Sequence, residues 1–299
     1  MSVVTAPARS TTGRPDVDDV ARLLVKGTDR PGIVSAVSTA IAEIGGNIIS
    51  LDQFSDSRGG AFFQRTEFQV PGLAAYRAEV ESAIASVTGD LGLEHTLSWA
   101  AKTKRVAIFA SKTDHCLLDL LWRQRQGDLD MTVAMVISNH PDLADQARDF
   151  GVPFFHVPVV GGDKAAAERT HLELTVGNVD LVVLARYMQI ISSDFLDRVG
   201  VPVINIHHSF LPAFIGAGPY QKAKDRGVKL IGATAHYVTE DLDEGPIIEQ
   251  DVVRVSHTQG VAELTRRGAD VERMVLSRAV RWHCEDRVMR HGNSTVVFA

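Results

Sequence analysis

Cysteine is scarce in this chain. Cys116 and Cys284 are its only two in 299 residues, too few for a disulfide framework or a cysteine zinc cluster. The expectation is a pair of reduced thiols in a cytoplasmic protein. Long apolar runs are missing too. No window approaches a membrane span, and the opening MSVVTAPARSTTGRPDVDD lacks the apolar stretch of a secretory signal. Residues 1–20 are therefore expected to form a disordered polar tail. Positive charge is not in excess: 31 Lys and Arg against 37 Asp and Glu give a net charge of −6. That argues against a broad nucleic-acid or anionic-membrane surface. No G-x-G-x-x-G follows the strand-like RVAIFAS, which disfavours a dinucleotide. What is present, 45% hydrophobic and 23% charged residues, is ordinary globular composition with room for one large domain or two smaller ones.

The apolar periodicity changes character along the chain. From 21 to 99 it predicts strand, helix, two strands, helix, strand. ARLLVKGTD ends at Asp29-Arg30-Pro31-Gly32, a helix carries Ile33, Val37 and Ile41, and Gly45-Gly46 stop it. NIISLDQFSD and GAFFQRTEFQV form a hairpin, and a second helix precedes LEHTLSWA. The order is the βαββαβ of a ferredoxin-like domain. After a short linker at 100–104, strands alternate with helices: RVAIFAS, a helix near 114–126, MTVAMVIS, a helix near 141–149, PFFHVPV, and a helix near 164–177. DLVVLA, VPVINI, ATAHYV and IIEQDVVRV follow, and a long helix is expected over roughly 258–290. Such alternation predicts an α/β domain over 105–299 with a mostly parallel, Rossmann-like sheet, whose ligands lie beyond the carboxyl ends of the strands.

One strand end carries chemistry. VPVINIHHSFLPAFIG (201–216) breaks from β-branched residues into polar ones, so Asn205 and His207 are expected on one face and His208 on the other. An amide and an imidazole there suit a carbonyl oxygen that gains negative charge, and Asp243 in HYVTEDLDEGPII (236–248) could handle a nucleophile's proton. Taken alone, Asn205 and His207 also fit a strand-end turn with satisfied hydrogen bonds. A metal could use His207, His208, His236 and Asp243, but histidines on opposite faces cannot easily share an ion, so no metal is expected.

The blocks NIHHSFLPAF, GATAHYV and LDEGPII, in this order, make residues 105–255 resemble the formyltransferase fold that uses 10-formyltetrahydrofolate. DRPGIVSAV and the following GGNI make 21–99 resemble an ACT domain. The fusion, with His208 where other members carry proline, resembles the formyltetrahydrofolate deformylases. The resemblance implies that Asn205, His207 and Asp243 are the catalytic trio, with His236 orienting Asp243 or a water. It implies that the backbone around Met188, Gln189 and Ile191, in LARYMQII, meets the pterin edge of a folate, with the turn 240–243 opposite. The implied reaction is hydrolysis to formate and tetrahydrofolate within purine biosynthesis, the folate being substrate and no further cofactor being needed. GAGPYQKA (216–223) departs from the pattern, in which Gly218 would be a longer polar or basic residue and Gln221 a histidine.

Transformylases acting on glycinamide ribonucleotide need a glycine-rich phosphate cradle after the first strand. Here that position reads SKTDHCLLDLL (111–121), with no glycine, which leaves water as the acceptor. Lys112 and His115 could weaken that argument by binding an anion, although a solvated helix start accounts for both. In the first domain, Asp29, Arg30, Gly32 and Asn47 are the candidate contacts for an amino-acid effector, glycine or methionine, against a plain capped turn in a dimerisation domain. A homodimer or homotetramer is expected, since ACT domains pair edge to edge. Two other readings stay open at this point: a formyltransferase with an amine acceptor, and an amino-acid sensor on an inactive formyltransferase fold.

Overall fold

Buried residues alternate along Val20–Thr28 (β1), where Ala21, Leu23 and Val25 are buried, so one face of this strand faces a core. The computed structural model describes residues 16–212 and 218–299. Two compact units divide the chain, one ending at Lys102 and the other spanning Thr103–Ala299. Residues 1–15 of the expected tail lie outside the described residues, and Val17–Asp19 form a single 3-10 turn before β1.

In the first unit β1 is followed by Ile33–Glu43 (α1), Asn47–Asp56 (β2), Ala61–Gln69 (β3), Leu73–Asp90 (α2) and Glu94–Trp99 (β4). The sheet order β2-β3-β1-β4, antiparallel throughout, is the expected ferredoxin-like arrangement. Leu23, Val25, Ile33, Val37, Ile41, Phe68, Leu73 and Ile84 make its core.

The second unit opens with Lys104–Ala110 (β5), His115–Gln126 (α3), Met131–Ser138 (β6), Ala144–Asp149 (α4), Phe154–His156 (β7) and Lys164–Thr175 (α5). It continues through Leu181–Ala185 (β8), Ser193–Val199 (α6), Val203–His207 (β9), Pro219–Arg226 (α7), Leu230–Tyr237 (β10) and Ile247–Arg254 (β11). Its last elements are Val261–Cys284 (α8), Val288–His291 (β12) and Ser294–Val297 (β13). The main sheet has the order β11-β10-β9-β8-β5-β6-β7, parallel from β9 to β7, with β10 and β11 antiparallel at one edge. Both faces are covered. Leu181, Val183, Ile204 and Ile206 enter a core shared with α8, and Val182, Leu184 and Val203 enter one with Phe109 and Phe195. The chain reverses its direction of travel across the sheet between β5 and β8, which opens a crevice beyond the strand ends there.

Three expectations need correction. Two short helices, α6 and α7, stand where none was predicted, the first capped by Ser192 Oγ accepting from the Phe195 amide. The helix near 141–149 starts three residues late, as α4 over Ala144–Asp149. The long helix ends at Cys284 rather than near 290, and a β-hairpin follows, turning through Gly292 (φ 56°) and Asn293. A Gly-Asn pair between alternating residues is itself a hairpin signal. Among the described residues, no helix is long and apolar enough to cross a membrane.

Candidate active site

β9 ends at His207, and its neighbour β10 places Thr234 across from His207 and His236 across from Asn205. The ladder irregularity between Ala235 and His236 re-aims the histidine toward the amide. Asn205 Nδ2 lies 3.2 Å from His236 Nε2, while His236 Nδ1 donates to the Tyr237 carbonyl at 3.0 Å. Burial lowers the pKa of His236, so the ring is neutral and carries its proton on Nδ1. Its Nε2 lone pair then accepts from Asn205, which fixes the amide with its second N–H free for another acceptor. His236 thus orients Asn205 more closely than Asp243, which sits 3.8 Å from the same nitrogen.

Asp243 reaches this cluster from the β10–β11 connection. Its backbone is left-handed (φ 58°), a conformation aspartate tolerates better than most side chains. Its Oδ2 is 3.2 Å from His207 Nδ1. The hydrogen bond from His207 holds the carboxyl below the usual carboxylate range, helped by the nearby imidazoles and against the opposing effect of burial. His207 Nε2 is buried and has no hydrogen-bond partner among the described residues. An ionised carboxylate, an imidazole with one free nitrogen and an oriented amide can together activate a water and receive the negative charge of a tetrahedral adduct.

The loop bearing Asp243 is held on two sides. Gly245 packs so closely on β10 that a Cβ would lie 1.8 Å from the Tyr237 carbonyl oxygen. From the C-terminal hairpin, Asn293 Nδ2 donates to the Glu244 carbonyl at 2.9 Å and Thr295 Oγ1 to the Ile247 carbonyl at 2.6 Å. Beyond β9, Thr234 Oγ1 donates to the Ser209 carbonyl and accepts from the Leu211 amide and Gln250 Nε2, which pins the chain as it leaves His208.

These groups open on a cavity of 580 Å³. Met188, Gln189 and Ile191, together with Val238, Glu240 and Leu242, line part of it, so the two segments expected around a folate border one space. Ser111 anchors the first segment, accepting from the Met188 amide and donating to Asn139 Oδ1. Gly218 also borders the cavity and adopts φ 67°, where a longer residue would be strained, whereas Gln221 turns to solvent and pairs with Asp225. The four candidate effector residues, Asp29, Arg30, Gly32 and Asn47, are all exposed, and Gly32 (φ 95°) precedes α1 without a side-chain cap.

Strand alternation fails at its last residue. The His207 and His208 rings stack 5.2 Å apart at 24°, so the two histidines do not face opposite ways. Burial lowers His208 to about 4, with Arg186 and His207 nearby, and leaves it neutral. His115 is likewise not a solvated helix start: its Nε2 sits 2.8 Å from Glu272 Oε2, whereas Lys112 is exposed. Glu272 on α8, Tyr220 on α7 and Arg186 after β8 are not among the candidates the sequence offers, although Tyr220 lies in GAGPYQKA and Arg186 in LARYMQII. Yet they form a part-buried network with His115 at the cavity's edge. His115, Cys116 and Glu272 bring potential ligand atoms within 4.8 Å of one another. The Arg186 guanidinium at 3.4 Å and a thiol pushed well up by burial oppose a cation there.

The comparisons with known proteins agree with this arrangement. A formyl transferase family model matches residues 104–280 and an ACT domain model residues 21–74. A formyltetrahydrofolate deformylase of Mycobacterium tuberculosis is 62% identical over 282 residues, 94% of this chain and 91% of the relative. The crystal structure of a formyltetrahydrofolate deformylase from Pseudomonas syringae pv. tomato is 46% identical, covers 94% of each chain and superposes with a TM-score of 0.89. A glycinamide ribonucleotide transformylase from Symbiobacterium toebii, 32% identical, covers 66% of this chain and 95% of its own with a TM-score of 0.62. Because the similarity to the deformylases runs through both units and not the second alone, the chain belongs to the formyltetrahydrofolate deformylase family.

Proposed function

We propose that this chain hydrolyses 10-formyltetrahydrofolate to formate and tetrahydrofolate. The observation that carries the reading is Asp243, ionised and set between His207 and His236 beside an amide whose free N–H faces the same cavity. In the mechanism that this geometry supports, Asp243 holds a water and takes up its proton as the oxygen attacks the formyl carbon. The Asn205 amide and a protonated His207, donating from Nε2, meet the charge that develops on the formyl oxygen. Collapse of the adduct breaks the bond to N10, which keeps the electron pair and receives the proton. The side chains answer the charge at each stage, so the folate is substrate and no further cofactor is invoked. Its pterin would lie between the segment 188–191, including Met188, Gln189 and Ile191, and the turn 240–243.

Around this reaction the ACT unit is proposed to take an amino acid, glycine or methionine, at Asp29, Arg30, Gly32 and Asn47. The assembly is proposed to be a cytoplasmic homodimer or homotetramer that feeds purine biosynthesis. The two deformylases named above, which match nearly the whole chain, favour neither a transferase with an amine acceptor nor an inactive sensor. The test is release of formate from 10-formyltetrahydrofolate with no amine present. Wild type should turn over, and Asp243→Asn should lose about 10²-fold or more in rate. No formate from wild type, or an unchanged rate in the variant, would sink the reading.

A further inference from the structure

Tyr220 lines the cavity together with His208, Gly218, Pro219 and Thr265, apart from the segments proposed to hold the folate. Its hydroxyl donates to Glu272 Oε1 at 2.5 Å. Glu272 is 2% exposed. Its other oxygen meets His115 Nε2 at 2.8 Å and Arg186 Nε at 3.4 Å, so α3, α7 and the loop after β8 all converge on one carboxylate of α8. Burial would raise this carboxyl, but the His115 hydrogen bond, Arg186 and the Tyr220 hydroxyl together hold it down to about 2. One turn earlier on α8, Gly268 leaves the space the tyrosine needs: a Cβ there would lie 1.9 Å from the hydroxyl oxygen. On its other side the Tyr220 ring is 6.4 Å from that of His208, which stacks on His207. A continuous wall therefore runs from the reacting groups to the helix.

We propose that Tyr220, locked by Glu272 and seated on Gly268, closes the acceptor side of the site, so that water and not an amine reaches the formyl carbon. The proposal rests on the hydrolase reading above and explains how this fold can favour it. The transformylase of the same fold is named for glycinamide ribonucleotide, a molecule far larger than water. Any amine must approach the formyl carbon from a side the folate leaves free, and here that side is filled by a ring with a buried anchor. With an amine as acceptor, a C–N bond would form, the bond to N10 would break and one amine proton would pass to N10. Neither path needs an oxidant or reductant, so steric access on this side can decide between them.

The experiment supplies full-length protein with 10-formyltetrahydrofolate and glycinamide as the probe amine, and measures N-formylglycinamide against formate. Wild type should yield formate with the amine product at background. Tyr220→Ala should raise the ratio of amine product to formate by about tenfold or more, while Tyr220→Phe, which keeps the ring on Gly268 but loses its bond to Glu272, should raise it by less. Gly268→Ala provides a second route. Alanine is the better helix former, and its methyl drives the tyrosine ring off α8 without changing the ring itself. It should move the ratio the same way, and it decides the matter if Tyr220→Ala does not fold. Unchanged ratios in folded, hydrolysing variants overturn the wall alone, as does amine product from wild type. No formate from wild type without amine overturns the hydrolase reading and this one with it.

Discussion

His171 is buried beneath the site among Phe109, Tyr187 and Phe195, with neither ring nitrogen hydrogen-bonded among the described residues. Burial lowers it from 6.5 to about 4, as it does, foremost among other causes, for His208 and His283. A proton then prefers the unfolded chain. Stability is therefore whole above 6.5, falls as the pH drops below it and levels off near 4. Urea midpoints measured across that window should decline with acid, and less steeply in His171→Phe. That variant should also gain about 1 kcal/mol at neutral pH by removing unpaired polar atoms. A slope equal to wild type would disprove it. At this scale the sequence was readable where neighbours in the chain share a task. Asn205 and His207 stand two apart on one strand, and His236 and Asp243 share one short segment. Glu272 was not readable, because its partners His115 and Tyr220 lie 157 and 52 residues away and only the fold unites them. His208 was misread because alternation holds only while the chain stays extended.

Among the elements, β5, β6, β8 and β9 were legible because their β-branched runs are buried on both faces. The first unit was legible through its glycine-punctuated order of strands and helices. The C-terminal hairpin is legible only at its Gly292-Asn293 turn, since Arg287 to His291 continue a helix-compatible composition and the end of α8 depends on Asp286 adopting positive φ. Yet β12 and β13 straddle the turn that carries Asn293, and Asn293 and Thr295 brace the Asp243 loop. Asn293→Ala combined with Thr295→Val should lower kcat by about tenfold, since small displacements of a reacting group are costly. KM should change little, because neither residue lines the cavity. Thr295→Ser in place of valine should restore much of the rate, and steady-state kinetics that leave kcat untouched would show the brace to be dispensable.

For the molecule as a whole, the two thiols acquire a use that their scarcity alone does not suggest. Cys116 is fully buried and Cys284 is 3% exposed, both in the second unit, and burial raises both above their ordinary range. Neither should react with a thiol reagent while the unit stays closed, and the first unit has no cysteine at all. Labelling followed by mass spectrometry should then be slow at a rate set by opening, and it should accelerate sharply at the denaturant concentration that melts the second unit. Rapid labelling under native conditions would contradict the burial. The consequence is a built-in clock: the chain reports the unfolding of its second unit, and is silent about its first, with no label engineered into it.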